Sequence, residues 1–508
     1  MTAARGLVLL VGALLLFRAA SALVVFQPGY TDAYYYADVA QRLAGGQGLT
    51  ADFIWNFLEA PFGGAVPVAS HRFWMPLVTV IGSFGISLLP VVEPFRAAQV
   101  MEILIAACIP VVTFRAARAI GASDAAALVA AAIAGLGGAF APGWVSLDAF
   151  APAALIGTMF FLSYRRAALA DGDLESGAFA GLLVGLLFLA RAEGALFGLP
   201  LLALVRKPRT RVAGIAGSVI ALAIGGAWVV RNLTIDPTPD LIGRSVLLVR
   251  YEDFFATTAS TWPAFTAAMP AVLAAKVAAL GTNAVTFLFV FGLLLVPGIV
   301  VAVRARGADP MVRAFAVLLV LVYVFESLVV TLHSTHGSYF HSLAAFLPLG
   351  VALGVAGTAA LLGRIERGRG LTLAWTAGTG GVAAALVLSV FALMQWDDSF
   401  NAPYRTRLAQ VAAIPPGRFM AIDAAAWRWI SRRPVLVTPA DFGPCAFDRA
   451  SLSAVKWLVL EPIHFSAYDA LYRDSGIPAF LSPVQITDGL RVYGVDLKVA
   501  GQLCTASR

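Results

Sequence analysis

Gly6-Leu7-Val8-Leu9-Leu10-Val11-Gly12-Ala13-Leu14-Leu15-Leu16-Phe17-Arg18-Ala19-Ala20-Ser21-Ala22-Leu23-Val24-Val25-Phe26 decides the class of this protein. A helix needs about 20 apolar residues to cross a bilayer, and this run supplies them. Arg5 precedes it, and Lys and Arg near the ends of a span mark the cytoplasmic side, so the span is expected to run outward. The triplet Ala20-Ser21-Ala22 resembles a signal-peptidase site. Arg18 would interrupt its apolar core, however, and the run continues to Phe26, so an uncleaved anchor is expected. Arg18 is costly to hold in lipid and should face the helix bundle or its outer cavity.

The rest of the chain has the same character. Of 508 residues, 60% are hydrophobic and 13% charged, and mean hydropathy is +0.83. Soluble domains carry about 25% charged residues, so a water-soluble enzyme is excluded. Disorder and collagen are excluded because the apolar residues fall in long unbroken runs. The net charge of +7 does not mark nucleic acid, because Lys and Arg sit at the ends of apolar runs and form no basic stripe. Three cysteines are too few for a disulfide scaffold.

Length and charge together predict the topology. Residues 76–89 are apolar but number only about 14, which suits an interfacial segment better than a span. With that choice spans follow at residues 95–114, 125–141, 150–164, 177–190, 195–205, 212–230, 284–303, 314–332, 343–362 and 371–394. Arg115, Arg118, Arg165, Arg166, Arg206, Lys207, Arg304, Arg306, Arg364 and Arg367 then all fall inside. The expected fold is a polytopic α-helical membrane protein of about eleven spans, residues 1–394, with the N-terminus cytoplasmic.

After Trp396 charge density rises. Short β-prone runs at residues 418–422, 434–438, 455–460 and 490–495, with helical character at 424–430, predict a small α/β domain over residues 395–508. Odd span parity puts it outside the membrane. Cys445 and Cys504 both lie in it, and an oxidising compartment would allow a bridge between them.

The first outer loop, residues 27–74, holds the most unusual residues. Tyr36, Val39, Ala40 and Leu43 follow helical spacing and Gly45 is a natural terminator. The expected element is an amphipathic helix on the membrane surface, with its tyrosines at headgroup depth. Asp32 stands at its start, where it can cap the helix by accepting backbone N–H groups or act as a chemical base.

These residues carry a resemblance. An Asp after the first span, then aromatic residues, an amphipathic helix and a Leu43-x-x-Gly46-x-Gly48 ending resemble the first external loop of GT-C fold glycosyltransferases of the family 39 type. That family includes protein O-mannosyltransferases and lipid A aminoarabinose transferases. Trp74-Met75-Pro76-Leu77, Leu189-Ala190-Arg191-Ala192-Glu193-Gly194 and Trp228-Val229-Val230-Arg231-Asn232 resemble three further motifs of the family, in the same order. Three positions depart from it. Ala33 stands where many members have Glu, Trp74 where many have Lys, and residues 336–341 read His-Gly-Ser-Tyr-Phe-His where an Arg-Tyr pair is common.

The resemblance implies transfer of a sugar from a polyprenyl-phosphate donor to a glycan, lipid or protein acceptor, at the outer face and with inversion. Such a donor needs no nucleotide pocket, and no Gly-x-Gly-x-x-Gly follows a strand. A lipid phosphate leaves as a stable anion, so one carboxylate base suffices, with cations receiving the phosphate. Asp32 is the candidate base. Arg231, Arg191, Arg72 and His71 are candidate donor-phosphate ligands, because a guanidinium can give a phosphate two hydrogen bonds at once. Snorkelling to the interface explains each arginine as readily.

Tyr35, Tyr36, Asp38, His336, Tyr339 and His341 are candidate substrate contacts. Three of the five histidines, His333, His336 and His341, share one outer loop. Their spacing matches no zinc motif, and hydrogen bonding to donor or acceptor is the better expectation. Asp236, Asp240, Glu252 and Asp253 could bind a divalent cation or the acceptor, or form a solvated loop face, and no other cofactor is expected. The rival functions are a transporter or flippase of lipid-linked or envelope substrates, and a catalytically degenerate GT-C member that binds glycan. A transporter commonly shows internal duplication and polar groups at mid-depth, whereas here polar residues gather toward one face.

Overall fold

Helix ends in this chain are written by short polar caps placed between apolar runs. The computed structural model describes residues 2–57, 66–169, 172–235, 245–258, 260–365, 370–449, 454–487 and 489–506. Thr2 accepts the Arg5 N–H and opens helix Ala3–Val24. Glu93 accepts from the N–H groups of Phe95 and Arg96 at 3.1 and 3.0 Å and opens Pro94–Ala119. Ser123, Asp173 and Asp309 open Asp124–Leu136, Leu174–Ala190 and Pro310–Leu328 in the same way. Each such cap satisfies N–H groups that a helix leaves unpaired.

Two compact units result. The first comprises Met1–Gln27, Trp74–Pro237 and Lys276–Asp397. Seven helices among the described residues are long and apolar enough to cross a membrane: Ala3–Val24, Pro94–Ala119, Pro208–Ile235, Met269–Leu293, Pro310–Leu328, Thr331–Gly363 and Thr376–Ala413. Leu77–Leu88, Asp124–Phe140, Leu174–Ala190 and Ala192–Val205 are shorter apolar helices. The expected count of about eleven draws on all seven, on three of the shorter ones and on Phe150–Leu169. Leu77–Leu88 has 12 residues, about 18 Å of helix, which is too short to span.

Two expected boundaries shift. The helix placed at 284–303 begins at Met269 and breaks at Gly292, whose φ of 70° is open to glycine. The loop expected at 333–342 is wound instead, a helical segment broken at His336 and Gly337 and continuing into Leu347–Ile365.

Arg18 is 1% exposed and donates to the Gly135 carbonyl at 2.9 Å, so it faces the bundle as its cost in lipid requires. Helices Leu174–Ala190 and Arg211–Ile235 meet backbone to backbone. A Cβ on Gly181 would lie 2.0 Å from the Gly217 carbonyl oxygen, the small-residue contact that lets membrane helices approach. We expect Gly181→Val to destabilise the protein by about 1–3 kcal/mol, read as a lower thermal midpoint in detergent. An unchanged midpoint would mean that these helices do not touch there.

The second unit comprises Pro28–Phe73, Thr238–Ala275 and Asp398–Arg508. Its six-stranded sheet uses β2 (Phe53–Ile54), β4 (Phe419–Ala421), β5 (Val435–Val437), β6 (Trp457–Leu460), β7 (Leu481–Thr487) and β8 (Leu490–Val495) in the order β2-β5-β4-β6-β8-β7. The first four in that order are parallel and the β6-β8-β7 edge is antiparallel. β1 (Thr50–Ala51) and β3 (Val68–Ala69) make a separate antiparallel pair. Four strands fall on the expected runs and helix Ala424–Ser431 on the expected helix. β2 comes from the first outer loop, so this unit is assembled from distant parts of the chain. Cys445 and Cys504 are bonded to one another, with Cα atoms 4.7 Å apart.

Candidate functional site

In the second unit, helix Thr31–Ala44 starts after Tyr30, which occupies the N-cap position, and Gly45 ends it. Asp32 is therefore not the cap. It sits half-buried in the first turn, where exposed N–H groups favour a negative charge. Tyr251, in the 3-10 turn Tyr251–Phe255, feels that charge. Burial first, and Asp32 second, push its phenol up to about 12.

The sign of this shift follows from which form is favoured. A phenol with its folded pKa raised above the ordinary value near 10 contributes stability that is full below about pH 10 and lost as pH rises through about 12. We expect Tyr251→Phe to flatten the alkaline fall in stability between those limits, followed by thermal melts across the range. Identical alkaline profiles in both proteins would remove Tyr251 as the cause.

The expected amphipathic helix is present, but its tyrosines are not turned to a lipid surface. Tyr34, Tyr35 and Tyr36 are 0, 1 and 3% exposed, because this helix supplies core to the unit instead of a membrane-facing stripe. Tyr34 meets Trp429 with ring centroids 6.4 Å apart. The Tyr35 hydroxyl accepts from the His71 backbone N–H at 2.6 Å, and the His71 ring stacks on Tyr36 at 6.0 Å. His71 is fully buried with a positive φ of 59°, while Arg72 is half-buried.

Asp38 is 2% exposed. Its Oδ1 lies 3.4 Å from Arg428 Nε, and Arg428 also reaches Asp52 at 3.1 Å, which Arg42 pairs from the other side. Burial raises the Asp38 carboxyl above its usual range, and Arg428 opposes the rise. The chain Arg42–Asp52–Arg428–Asp38 ties the first-loop helix to Ala424–Ser431. Asp253 holds Arg250 at 3.1 Å. Asp236 and Asp240 lie outside the described residues.

In the first unit, Arg191 ends Leu174–Ala190 with an extended backbone. Its Nε pairs with Glu193, and its Nη2 donates to the Ser338 hydroxyl at 2.9 Å. The Glu326 side chain, 1% exposed, and Ser342 complete this cluster. Ser338 and Ser342 lie on one side of the broken segment.

His341 turns to another side. Its Nε2 is 2.9 Å from Asp148 Oδ2, its Nδ1 is 2.9 Å from the Gly337 carbonyl, and Phe150 stacks on the ring at 4.3 Å. Tyr339 is buried against Tyr323. His336 is exposed and its Nδ1 is 2.7 Å from the Leu332 carbonyl. His341 is thus held by Asp148 and His336 by its own helical turn. Arg231 stacks over Trp228 at 4.7 Å and donates to Asn232 at 2.9 Å, which explains the Trp-x-x-Arg-Asn spacing as one local packing unit.

Sequence reading missed Asp148 and Glu326. A usable signal existed for Glu326, the single acidic residue in the apolar run 314–332, since an ionisable group within a span is expensive unless used. Asp148 had less, a lone acid between two apolar runs.

No protein-family model matches this sequence, and no match is found among curated proteins. Solved structures do match. ArnT from Cupriavidus metallidurans in the apo state is 14% identical over 98% of this chain and 100% of that one, with a TM-score of 0.55. The same protein bound to undecaprenyl phosphate is 14% identical over 95% and 98%, TM-score 0.54. The archaeal oligosaccharyltransferase AglB from Archaeoglobus fulgidus, in complex with an inhibitory peptide and a dolichol-phosphate, is 13% identical over 89% of this chain and 69% of that one, TM-score 0.50. Helical bundle and small sheet unit alike, this multi-pass membrane protein has the GT-C fold of membrane glycosyltransferases.

Proposed function

We propose that the protein transfers a sugar from a polyprenyl phosphate to an acceptor hydroxyl or amine at the outer face of the membrane. The observation that carries this reading is the fold correspondence over almost the whole of both chains with a protein solved with undecaprenyl phosphate bound. Asp32 takes the acceptor proton, and the acceptor attacks the anomeric carbon as the bond to the lipid phosphate breaks, with inversion. Arg191, supported by Arg231, receives the phosphate charge. Arg suits that role because its planar fork is never deprotonated, and Arg191 is already oriented by Glu193 and Ser338. His71 and Arg72, with Tyr35, Tyr36, Asp38, His336, Tyr339 and His341, remain candidate contacts to donor or acceptor. The N-terminus is cytoplasmic on this reading and the sheet unit extracytoplasmic. The Cys445–Cys504 bond supports that placement, since disulfides persist in oxidising compartments.

The test is release of labelled polyprenyl phosphate from a panel of polyprenyl-phosphate sugars by the purified protein in detergent. Acceptor-dependent release that falls at least tenfold in Arg191→Ala is expected. A protein that binds no member of the panel would overturn the reading.

A further inference from the structure

The cluster around Arg191 contains more acceptors than its hydroxyls can satisfy. Ser342 Oγ lies 2.5 Å from Glu193 Oε1 and 2.9 Å from Glu326 Oε1, and Ser338 Oγ lies 3.1 Å from Glu326 Oε1. With a fourth contact, from Ser342 Oγ to the Ser338 carbonyl at 3.0 Å, four oxygen–oxygen contacts therefore compete for two hydroxyl hydrogens. A proton on one carboxyl group relieves this shortage of donors. Glu193 is paired with Arg191, so it keeps its charge. Glu326 lacks such a partner, and its Oε2 is buried with no hydrogen bond, which for an ionised carboxylate is a large penalty.

We propose that Glu326 is a neutral carboxylic acid that donates to Ser342, and that its proton sets the charge of the Arg191 cluster toward the donor phosphate. With the proton present, Arg191 and Glu193 balance. Without it the cluster carries a net negative charge and repels phosphate. Glu326 is thus a positioning and charge-setting residue that acts through Arg191, and its effect on the donor rests on the functional reading above. The titratable groups facing it are Glu193 and Arg191 from the junction after Leu174–Ala190, Tyr339 from the broken segment and Tyr323 on its own helix. Lys276 bonds the Leu328 carbonyl and the Thr331 hydroxyl beyond that helix's end.

Two measurements separate the proton from its use. Infrared difference spectra of the full chain at about pH 6 should show a protonated carboxyl stretch that Glu326→Gln abolishes and Glu193→Gln retains. No such band would overturn the proposal. Should Glu326→Gln not fold, Ser342→Ala serves instead, because loss of the acceptor hydroxyl must shift the band. The second measurement is undecaprenyl phosphate affinity against pH. Both proteins should follow the second ionisation of the probe's own phosphate at about pH 6; beyond that, wild type should weaken roughly tenfold relative to Glu326→Gln as Glu326 ionises, and the two should bind alike at low pH. Matching profiles in both would overturn the charge-setting role. An Arg191→Ala protein that binds as well as wild type would remove Arg191 as phosphate ligand, and the infrared band would still decide the proton.

Discussion

Asp32→Asn should lose the chemical step by about 10²- to 10⁴-fold while donor affinity stays within a factor of about three. An amide has nearly the shape of the carboxylate but cannot take a proton. Asp32 is half-buried in the first turn of its helix and is not its cap, so the fold should tolerate the change. Single-turnover transfer and donor binding, measured on the same preparation, check it. An unchanged transfer rate would remove Asp32 as base. A parallel loss of donor affinity would mean that the carboxylate acts in binding. The neighbouring phenol of Tyr251 is held neutral to about 12, so it cannot replace the missing base near neutral pH.

Cys445→Ser or Cys504→Ser should cost the sheet unit up to about 4 kcal/mol. The residues are 59 apart in sequence, and closing a loop of that size removes entropy of this order from the unfolded chain. A second loss comes from the packing of Cys504, which is 2% exposed on helix Leu497–Ala506. Thermal melts and protease resistance of the full chain give the readout. Before reduction, alkylation of the detergent-unfolded chain should label Cys108 alone, the free thiol. Wild type that labels at three cysteines without reductant would mean that the bond is not made.

The membrane-spanning unit was largely legible because its signal is local. Apolar length and flanking charge define a span without knowledge of its neighbours, as residues 6–26 and 95–114 show. Where helices break, the same rules misjudge. Gly292 interrupts a helix that composition makes continuous, and residues 331–346 are wound where His, Ser and Gly suggest a loop. The sheet unit was legible in its four predicted strands and illegible in β2 and β7, because two residues in a Gly-flanked loop carry no periodicity and β7 is a mostly exposed edge strand interrupted by Pro483. The tyrosines were misplaced for a related reason. Amphipathic spacing tells that one helix face is buried, but not whether lipid or protein covers it. The Arg191 motif was visible, but Ser338 and Glu326 lie more than a hundred residues beyond it and join it only in space.

Strand β2 also fixes an order of events during synthesis. Ile54 pairs with Leu436, about 380 residues later, and at ordinary elongation rates that gap lasts roughly 20–80 s. For that interval the first loop waits without its neighbours on the sheet and without Trp429 beside Tyr34. A premature stop near residue 400 would therefore do more than shorten the protein. It would leave the segment bearing Asp32 without the strand and the Trp429 ring that pack on it in the full chain.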